Sequence, residues 1–149
     1  MLGTLSRLQG IQGGIENTNY FVDSDRGSFV LTLFERLSHA QLPFYLELMR
    51  HLAQKGIAVP APHANAAGQI LHTVAGKPAA LVDKLQGSSQ LAPQAVHCAA
   101  MGQALAQLHL AGADFALQQP NLRGLDWIAQ TVPVVLPHMA PAQAQLLQE

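Results

Sequence analysis

Charged residues are scarce in this sequence: only 11% of its residues are Asp, Glu, Lys or Arg, against about 25% in an average protein. The formal net charge is −1, so no basic surface for binding nucleic acid is expected. An isolated soluble domain normally exposes more charge than this. The composition therefore predicts that part of the surface is covered by other protein.

Cysteine and long apolar runs are scarce as well. Cys98 is the single cysteine, so no disulfide can form within the chain, which is typical of the reducing cytoplasm. No apolar run reaches the roughly 18 residues of a membrane-spanning helix. The N-terminal segment lacks the apolar core and cleavage site of a signal peptide. These absences predict a soluble cytoplasmic chain.

Motifs for metal binding and nucleophilic catalysis are also missing. No two of the seven histidines are four residues apart, the spacing that places two ligands on one helix face. No G-x-S-x-G motif is present, and Cys98 lies on the apolar stripe of a predicted helix, which favours a core residue over a reactive thiol. Glu47 precedes Arg50 by three residues, which predicts a surface ion pair.

The first half of the chain has the pattern of an antiparallel sheet with one helix. Three strands are predicted between about residues 5 and 34, with alternating faces in SFVLTLFE. A helix is predicted in LPFYLELMRHLAQKG, where apolar residues recur every four positions. A second hairpin, formed by GQILHTV and AALVDKL, completes five strands.

The second half is predicted to be helical. QGSSQ has the composition of a linker, and PQAVHCAAMGQALAQLHLAG follows as a helix with an apolar stripe. APAQAQLLQE begins a last helix, which we expect to be incomplete at the end of the sequence.

The bend GGIENTN, between the first two strands, collects four polar residues: Glu16, Asn17, Thr18 and Asn19. No helix follows the bend, so it is neither a dinucleotide fingerprint nor a Walker loop, both of which need a strand, a glycine loop and then a helix. Its polar groups either cap a hairpin turn or hold a ligand such as phosphate, which the glycines allow the backbone to approach. The residues alone leave both interpretations open.

Six segments, taken in their order along the chain, carry a wider similarity. They are GIENTNYFV, FVLTLFE, LPFYLELMRHLAQKGIAVPAP, GKPAALVDKLQG, HLAGADF and NLRGLDW. Together they resemble the bacterial homoserine kinases of the aminoglycoside/choline phosphotransferase superfamily. The resemblance implies an α+β fold: a protein-kinase-like N-lobe with hinge at residues 1–87, made of a five-stranded antiparallel sheet plus one helix, and the first helices of an incomplete C-lobe at residues 88–149.

The resemblance implies ATP as the nucleotide and a small hydroxyl-bearing acceptor, L-homoserine, as substrate. The bend at residues 16–19 would then cover the ATP phosphates. The main chain of Asp83 and Leu85 would contact adenine at the hinge between the lobes. Arg123, in NLRGLDW, is a candidate for holding the carboxylate of an amino-acid substrate, with a structural role as its alternative.

Two departures from the kinase pattern stand out. Thr32 occupies the strand-three position where kinases carry a phosphate-binding lysine. It is a candidate nucleotide-binding residue that can donate one hydrogen bond but supplies no charge, and Lys84 is expected to point the wrong way to replace that lysine. No histidine is followed by aspartate two residues later, so the superfamily's His-x-Asp-x4-Asn motif is not in this sequence. That motif and a later aspartate position the acceptor and bind Mg²⁺ in the superfamily.

The missing motif implies a fragment whose Mg²⁺ ligands lie in an absent C-terminal lobe, and the chain alone is expected to be inactive as a kinase. Two alternatives stay open. One is a phosphotransferase for another small hydroxyl acceptor, such as an amino alcohol or an aminoglycoside. The other is a non-catalytic module that binds nucleotide or a partner.

Overall fold

A computed structural model describes residues 3–147, which form one five-stranded antiparallel sheet, four α-helices and a short 3-10 helix. The strands are β1 (Leu5–Ile11), β2 (Asn17–Ser24), β3 (Gly27–Phe34), β4 (His72–Val74) and β5 (Lys77–Asp83). The helices are α1 (Leu42–Gln54), α2 (Ala95–Gly112), α3 (Leu125–Val135), the 3-10 helix (Leu136–His138) and α4 (Pro141–Leu146). The predicted sheet, with one helix between its third and fourth strands, is confirmed.

The chain divides into two compact units, Met1–Leu117 and Gln118–Glu149. The first unit contains the sheet, α1 and α2, and the second contains α3, the 3-10 helix and α4. The lobe boundary expected after residue 87 falls inside the first unit and stays a prediction. None of the helices in the described residues 3–147 combines the length and the apolar character needed to cross a membrane.

Strand order in the sheet is β1-β2-β3-β5-β4, and one face of this sheet packs against α1. Directly paired residues of an antiparallel sheet share a face, and the register joins Asn19 to Thr32 and Thr32 to Ala80. Ala80, only 1% exposed, forms a core with Leu46 of α1 and with Ile70. We call this side the α1 face; it carries Asn19, Phe21, Val30, Thr32, Phe34, Ala80 and Val82.

Local sequence explains where α1 begins and ends. Pro43 lies in the first turn, where main-chain N–H groups have no hydrogen-bond partner within the helix, so the N–H that proline lacks is not needed. Gly56 follows the helix with φ of +79°, a left-handed conformation that glycine adopts without strain. Leu42, Leu46 and Leu52 are 0%, 2% and 3% exposed, so the buried side of α1 extends from its first turn to its last.

α2 does not have the buried stripe that its sequence predicts. Cys98 is exposed, so the prediction that it is a core residue is wrong. Met101 is 69% exposed and Leu105 is 50% exposed. Met101 and Leu105 line an open cavity of about 280 Å³ beside Ile57 and Val59, so this side of α2 is not packed into the core of the described residues.

Polar contacts tie the end of α1 to the end of α2. His51 Nε2 lies 2.9 Å from Asp114 Oδ1 and 3.2 Å from the carbonyl oxygen of Ala111. Lys55 Nζ donates to the same carbonyl at 2.8 Å and also pairs with Asp114. The ring of Phe115 packs against His51, with the ring centroids 5.4 Å apart. This cluster fixes the C-terminal end of α1 within the first unit.

Asp114→Asn is expected to destabilise the protein at neutral pH but not in acid. Hydrogen bonds from Lys55 and then from His51 hold the pKa of Asp114 below its ordinary value of 3.8. A carboxyl group whose pKa is lowered by folding adds stability above its unfolded pKa, and this stability is lost as the pH falls through the folded pKa. Urea midpoints of wild type and variant should therefore differ at pH 7 and converge as the pH falls below about 3.8. A difference that stays constant over this range would contradict the prediction.

Candidate functional site

Two glycines shape the turn between β1 and β2. Gly13 has φ of +103°, in the left-handed region, and a Cβ atom on Gly14 would lie within 3.0 Å of the Asn17 carbonyl oxygen. Asn17 opens β2 in a half-buried position. Glu16 is exposed, with Oε1 3.9 Å from Nη1 of Arg36. The turn is thus compact because both glycines lack a side chain, and it places the main chain close to the end of the α1 face.

Asn19 and Thr32, both predicted nucleotide-site residues, are brought together by the register. Thr32 Oγ1 donates to Asn19 Oδ1 at 2.8 Å in a partly buried hydrogen bond. The side-chain nitrogen of Asn19, Nδ2, lies near Gly14, 3.4 Å from the position that a Cβ atom on that glycine would occupy. Because Oδ1 accepts from Thr32, the Nδ2–H₂ group of Asn19 is the side-chain donor oriented toward the turn.

Thr18 points the other way. Side chains alternate along a strand, so Thr18 lies on the opposite face from Asn19. Its Oγ1 donates to Glu35 Oε1 at 2.7 Å, and Lys77 Nζ donates to Glu35 Oε2 at 2.6 Å. The hydrogen bond from Lys77, and next the one from Thr18, hold the pKa of Glu35 below its ordinary value of 4.5. The Thr18 hydroxyl therefore supports an ion pair on the face of the sheet opposite α1.

The predicted adenine contacts lie at the other end of the sheet, where β5 ends. The main-chain amide of Asp83 donates to the Ala61 carbonyl at 3.0 Å. His63 Nε2 lies 2.6 Å from Asp83 Oδ1, and the His63 ring packs edge-on to Phe29 with centroids 4.8 Å apart. Leu85 follows the strand and is 47% exposed. Because its amide is used within the fold, Asp83 has its carbonyl oxygen to offer as a main-chain contact for adenine.

Lys84 lies on the same face of the sheet as Thr32, the α1 face, although the sequence predicts that it points the wrong way to replace a strand-three lysine. Its amide donates to the Ser28 carbonyl at 3.2 Å, which continues the ladder between β3 and β5 past the last strand residue. Val82 and Lys84 consequently share a face. The Lys84 ammonium lies over the Phe21 ring, 4.4 Å from its centroid. The sequence did contain a signal for this position. If the side-chain alternation of β5 is extended one residue past Asp83, it places Lys84 on the same face as Val82.

Arg123 belongs to the second compact unit. Its guanidinium carbon lies 4.9 Å from the ring centroid of Trp127, and its main-chain amide donates to Asn121 Oδ1 at 3.0 Å. These contacts order the start of α3, and the suggested contact with a substrate carboxylate stays a prediction.

A cavity of about 730 Å³ lies beside α1 in the first unit, with Glu47, His39 and His72 in its lining. Glu47 forms an ion pair with Arg50, as the sequence predicts. Among residues 3–147, no group of three His, Cys, Asp or Glu side chains is arranged so that it could hold a metal ion.

Comparison with known proteins identifies the family. The sequence model of the phosphotransferase enzyme family matches residues 7–149. The chain belongs to this family. Among its relatives, the homoserine kinase of Polaromonas naphthalenivorans (strain CJ2) is 62% identical over 146 residues, which are 98% of this chain and 46% of the relative. The homoserine kinase of Janthinobacterium sp. (strain Marseille) is 54% identical over 148 residues, 99% of this chain and 46% of the relative.

The chain therefore spans about half the length of the curated relatives that it matches. Solved structures share its fold. The amicoumacin kinase in complex with AMP-PNP, Ca²⁺ and Ami superposes with a TM-score of 0.69 at 18% identity, covering 99% of this chain and 47% of that one. Spectinomycin phosphotransferase, in complex with ADP and spectinomycin, has a TM-score of 0.63 at 16% identity, covering 89% of this chain and 42% of that one. The resemblance inferred from the six segments is confirmed.

Proposed function

We propose that this chain is the nucleotide-binding part of an ATP-dependent homoserine kinase. The observation that carries the proposal is the 62% identity to a homoserine kinase over 98% of the chain. In the proposed reaction the side-chain hydroxyl oxygen of L-homoserine bonds to the γ-phosphorus of ATP. The bond from that phosphorus to the β–γ bridging oxygen breaks, so the products are ADP, O-phospho-L-homoserine and a proton.

The arrangement of donors in the first unit supports this proposal. At the turn, main-chain amides near Gly13 and Gly14 and the Asn19 side-chain amide would approach the phosphates, while Thr32 holds Asn19 in place. At the far end of the sheet, the Asp83 carbonyl and the main chain of Leu85 would contact adenine. The nucleotide would then lie along the α1 face, with adenine at the end of β5 and its terminal phosphates at the turn.

Mg²⁺ is part of the proposal for the complete gene product, but the described residues of this chain do not fit a magnesium site. No group of three metal-ligating side chains occurs among residues 3–147, and the sequence contains no His-x-Asp-x4-Asn motif. The proposed location of the protein is the cytoplasm, in keeping with its single, exposed cysteine.

The test is a coupled assay of ADP release by the complete gene product, with L-homoserine, L-serine, choline and spectinomycin as separate acceptors. We expect turnover with L-homoserine, and O-phospho-L-homoserine identified by mass spectrometry. A higher kcat/KM with choline or spectinomycin would contradict the proposed acceptor, and ATP binding without turnover on any acceptor would favour the non-catalytic module. The 149-residue chain, assayed in parallel, is expected to release no ADP, because a general base alone contributes about 10²–10⁴-fold to such a reaction.

A further inference from the structure

We propose that Lys84 binds the α-phosphate of the nucleotide and supplies the positive charge that Thr32 does not supply. This inference rests on the proposed function, because it needs an adenine nucleotide on the α1 face. Phosphate recognition by kinases uses a cation beside the α- and β-phosphates, and threonine offers a neutral hydroxyl whose hydrogen is already donated to Asn19.

The first supporting observation is position. Lys84 follows β5 at the adenine end, yet its ammonium lies back over the ring of Phe21 on β2, 4.4 Å from the centroid. Phe21 and Asn19 are two residues apart on one strand, a distance of about 7 Å. The charge therefore lies between the predicted adenine contacts and the Asn19–Thr32 pair, which is where the phosphate next to the ribose would lie.

The second observation is the absence of a competing carboxylate. Lys55 pairs with Asp114, and Lys77 pairs with Glu35. Lys84, the remaining lysine of the sequence, has no carboxylate within 4.0 Å among residues 3–147. Its charge contacts an aromatic face instead, a weaker partner than a phosphate oxygen that accepts a charge-assisted hydrogen bond.

These two observations together give a cation that is already oriented over the nucleotide face and needs to break no ion pair when a phosphate arrives. A rotation about the side-chain bonds of Lys84 would move the ammonium from the ring to a phosphate oxygen. Lys84 thus differs from a strand-three lysine in its main-chain position, because its side chain extends toward the phosphates from the adenine end of the sheet.

The experiment measures the Kd of adenosine, AMP, ADP and ATP by calorimetry, for the complete gene product and for its Lys84→Met variant. We expect Lys84→Met to weaken AMP, ADP and ATP each by about 10- to 100-fold, the usual effect of losing a hydrogen bond to a charged group. Adenosine, which lacks phosphate, should bind both proteins equally. Lys84→Arg should recover most of the lost affinity, and the loss should shrink as salt is raised.

Lys55→Met is the matched control, since it removes the same charge at the end of α1 and away from the sheet. It should leave all four affinities within twofold. Unchanged nucleotide binding in Lys84→Met would overturn the inference, as would an equal loss of adenosine, which would mean that Lys84 acts by packing on Phe21. A loss confined to ADP and ATP would also overturn it, because the contact would then be to the β-phosphate and not to the α-phosphate. If the wild-type protein binds no nucleotide, the proposed function itself fails.

Discussion

Leu46→Ala is expected to destabilise the first compact unit by about 2–5 kcal/mol, the cost of removing a buried leucine side chain and leaving a cavity. Leu46 is 2% exposed and packs against Ile70 and Ala80, so it joins α1 to the sheet. Folded domains are stable by only about 5–15 kcal/mol. The substitution should therefore remove a large fraction of the total, visible as a lower urea midpoint in the circular dichroism of the 149-residue chain.

Leu110→Ala provides the control for this measurement. Leu110 lies on α2 and is 78% exposed, so the same chemical change there should alter the free energy of unfolding by less than about 0.5 kcal/mol. Equal urea midpoints for the two variants would show that α1 does not contribute a packed core, and would contradict the packing of α1 against the α1 face of the sheet.

Gly14→Ala is expected to weaken ATP binding to the complete gene product by roughly tenfold or more. Its Cβ atom would lie within 3.0 Å of the Asn17 carbonyl oxygen, a distance that main-chain atoms do not tolerate, so the turn has to move. Returning the displaced turn to its binding arrangement against strain of this kind would cost about 1–3 kcal/mol, and each 1.4 kcal/mol is tenfold in affinity. Because Asn19 Nδ2 lies beside the same position, the shift should also displace the amide that faces the phosphates.

Gly102→Ala is the matched control for the glycine substitution. Gly102 lies inside α2, and nothing lies within 4 Å of the position of its Cβ atom. Alanine favours a helix over glycine by roughly 0.5–1 kcal/mol, so this variant should melt slightly higher and bind ATP like the wild type. If Gly14→Ala binds ATP equally well, the turn does not contact the phosphates, and the predicted role of residues 16–19 is wrong.

Much of the first unit could be predicted from local patterns. The alternation of side-chain faces in SFVLTLFE and the four-residue repeat of apolar residues after Pro43 are strong signals, because each pattern keeps one period over its whole segment. The five strands and α1 therefore lie where the sequence indicates. The glycines of GGIENTN likewise indicate a tight turn, and the structure adds that Gly13 and Gly14 are needed for separate reasons, one conformational and one steric.

The parts that could not be predicted depend on neighbours distant in the sequence. Burial of Cys98 was inferred from an apolar stripe, but a stripe shows which side of a helix is apolar and not whether another element covers it. The resemblance places Thr18 in the bend over the phosphates, which stays a prediction, and its hydrogen bond to Glu35 is a contact that local sequence does not indicate. The direction of the Lys84 side chain depends on how far the pairing of β5 with β3 continues. The hydrogen bond from the Lys84 amide to the Ser28 carbonyl extends this pairing past Asp83.

The strand order also determines which strands of the sheet can pair first during folding. β1, β2 and β3 are joined by short turns, whereas Leu33 of β3 pairs with Ala79 of β5 only after the chain has passed through α1 and β4. Each doubling of the closed loop adds about 0.6 kcal/mol of closure entropy. The three-stranded meander can therefore form from contacts near in sequence, and β5, which carries the proposed adenine contacts and Lys84, docks last. During synthesis on the ribosome, the nucleotide face would be completed only once β5 has left the exit tunnel.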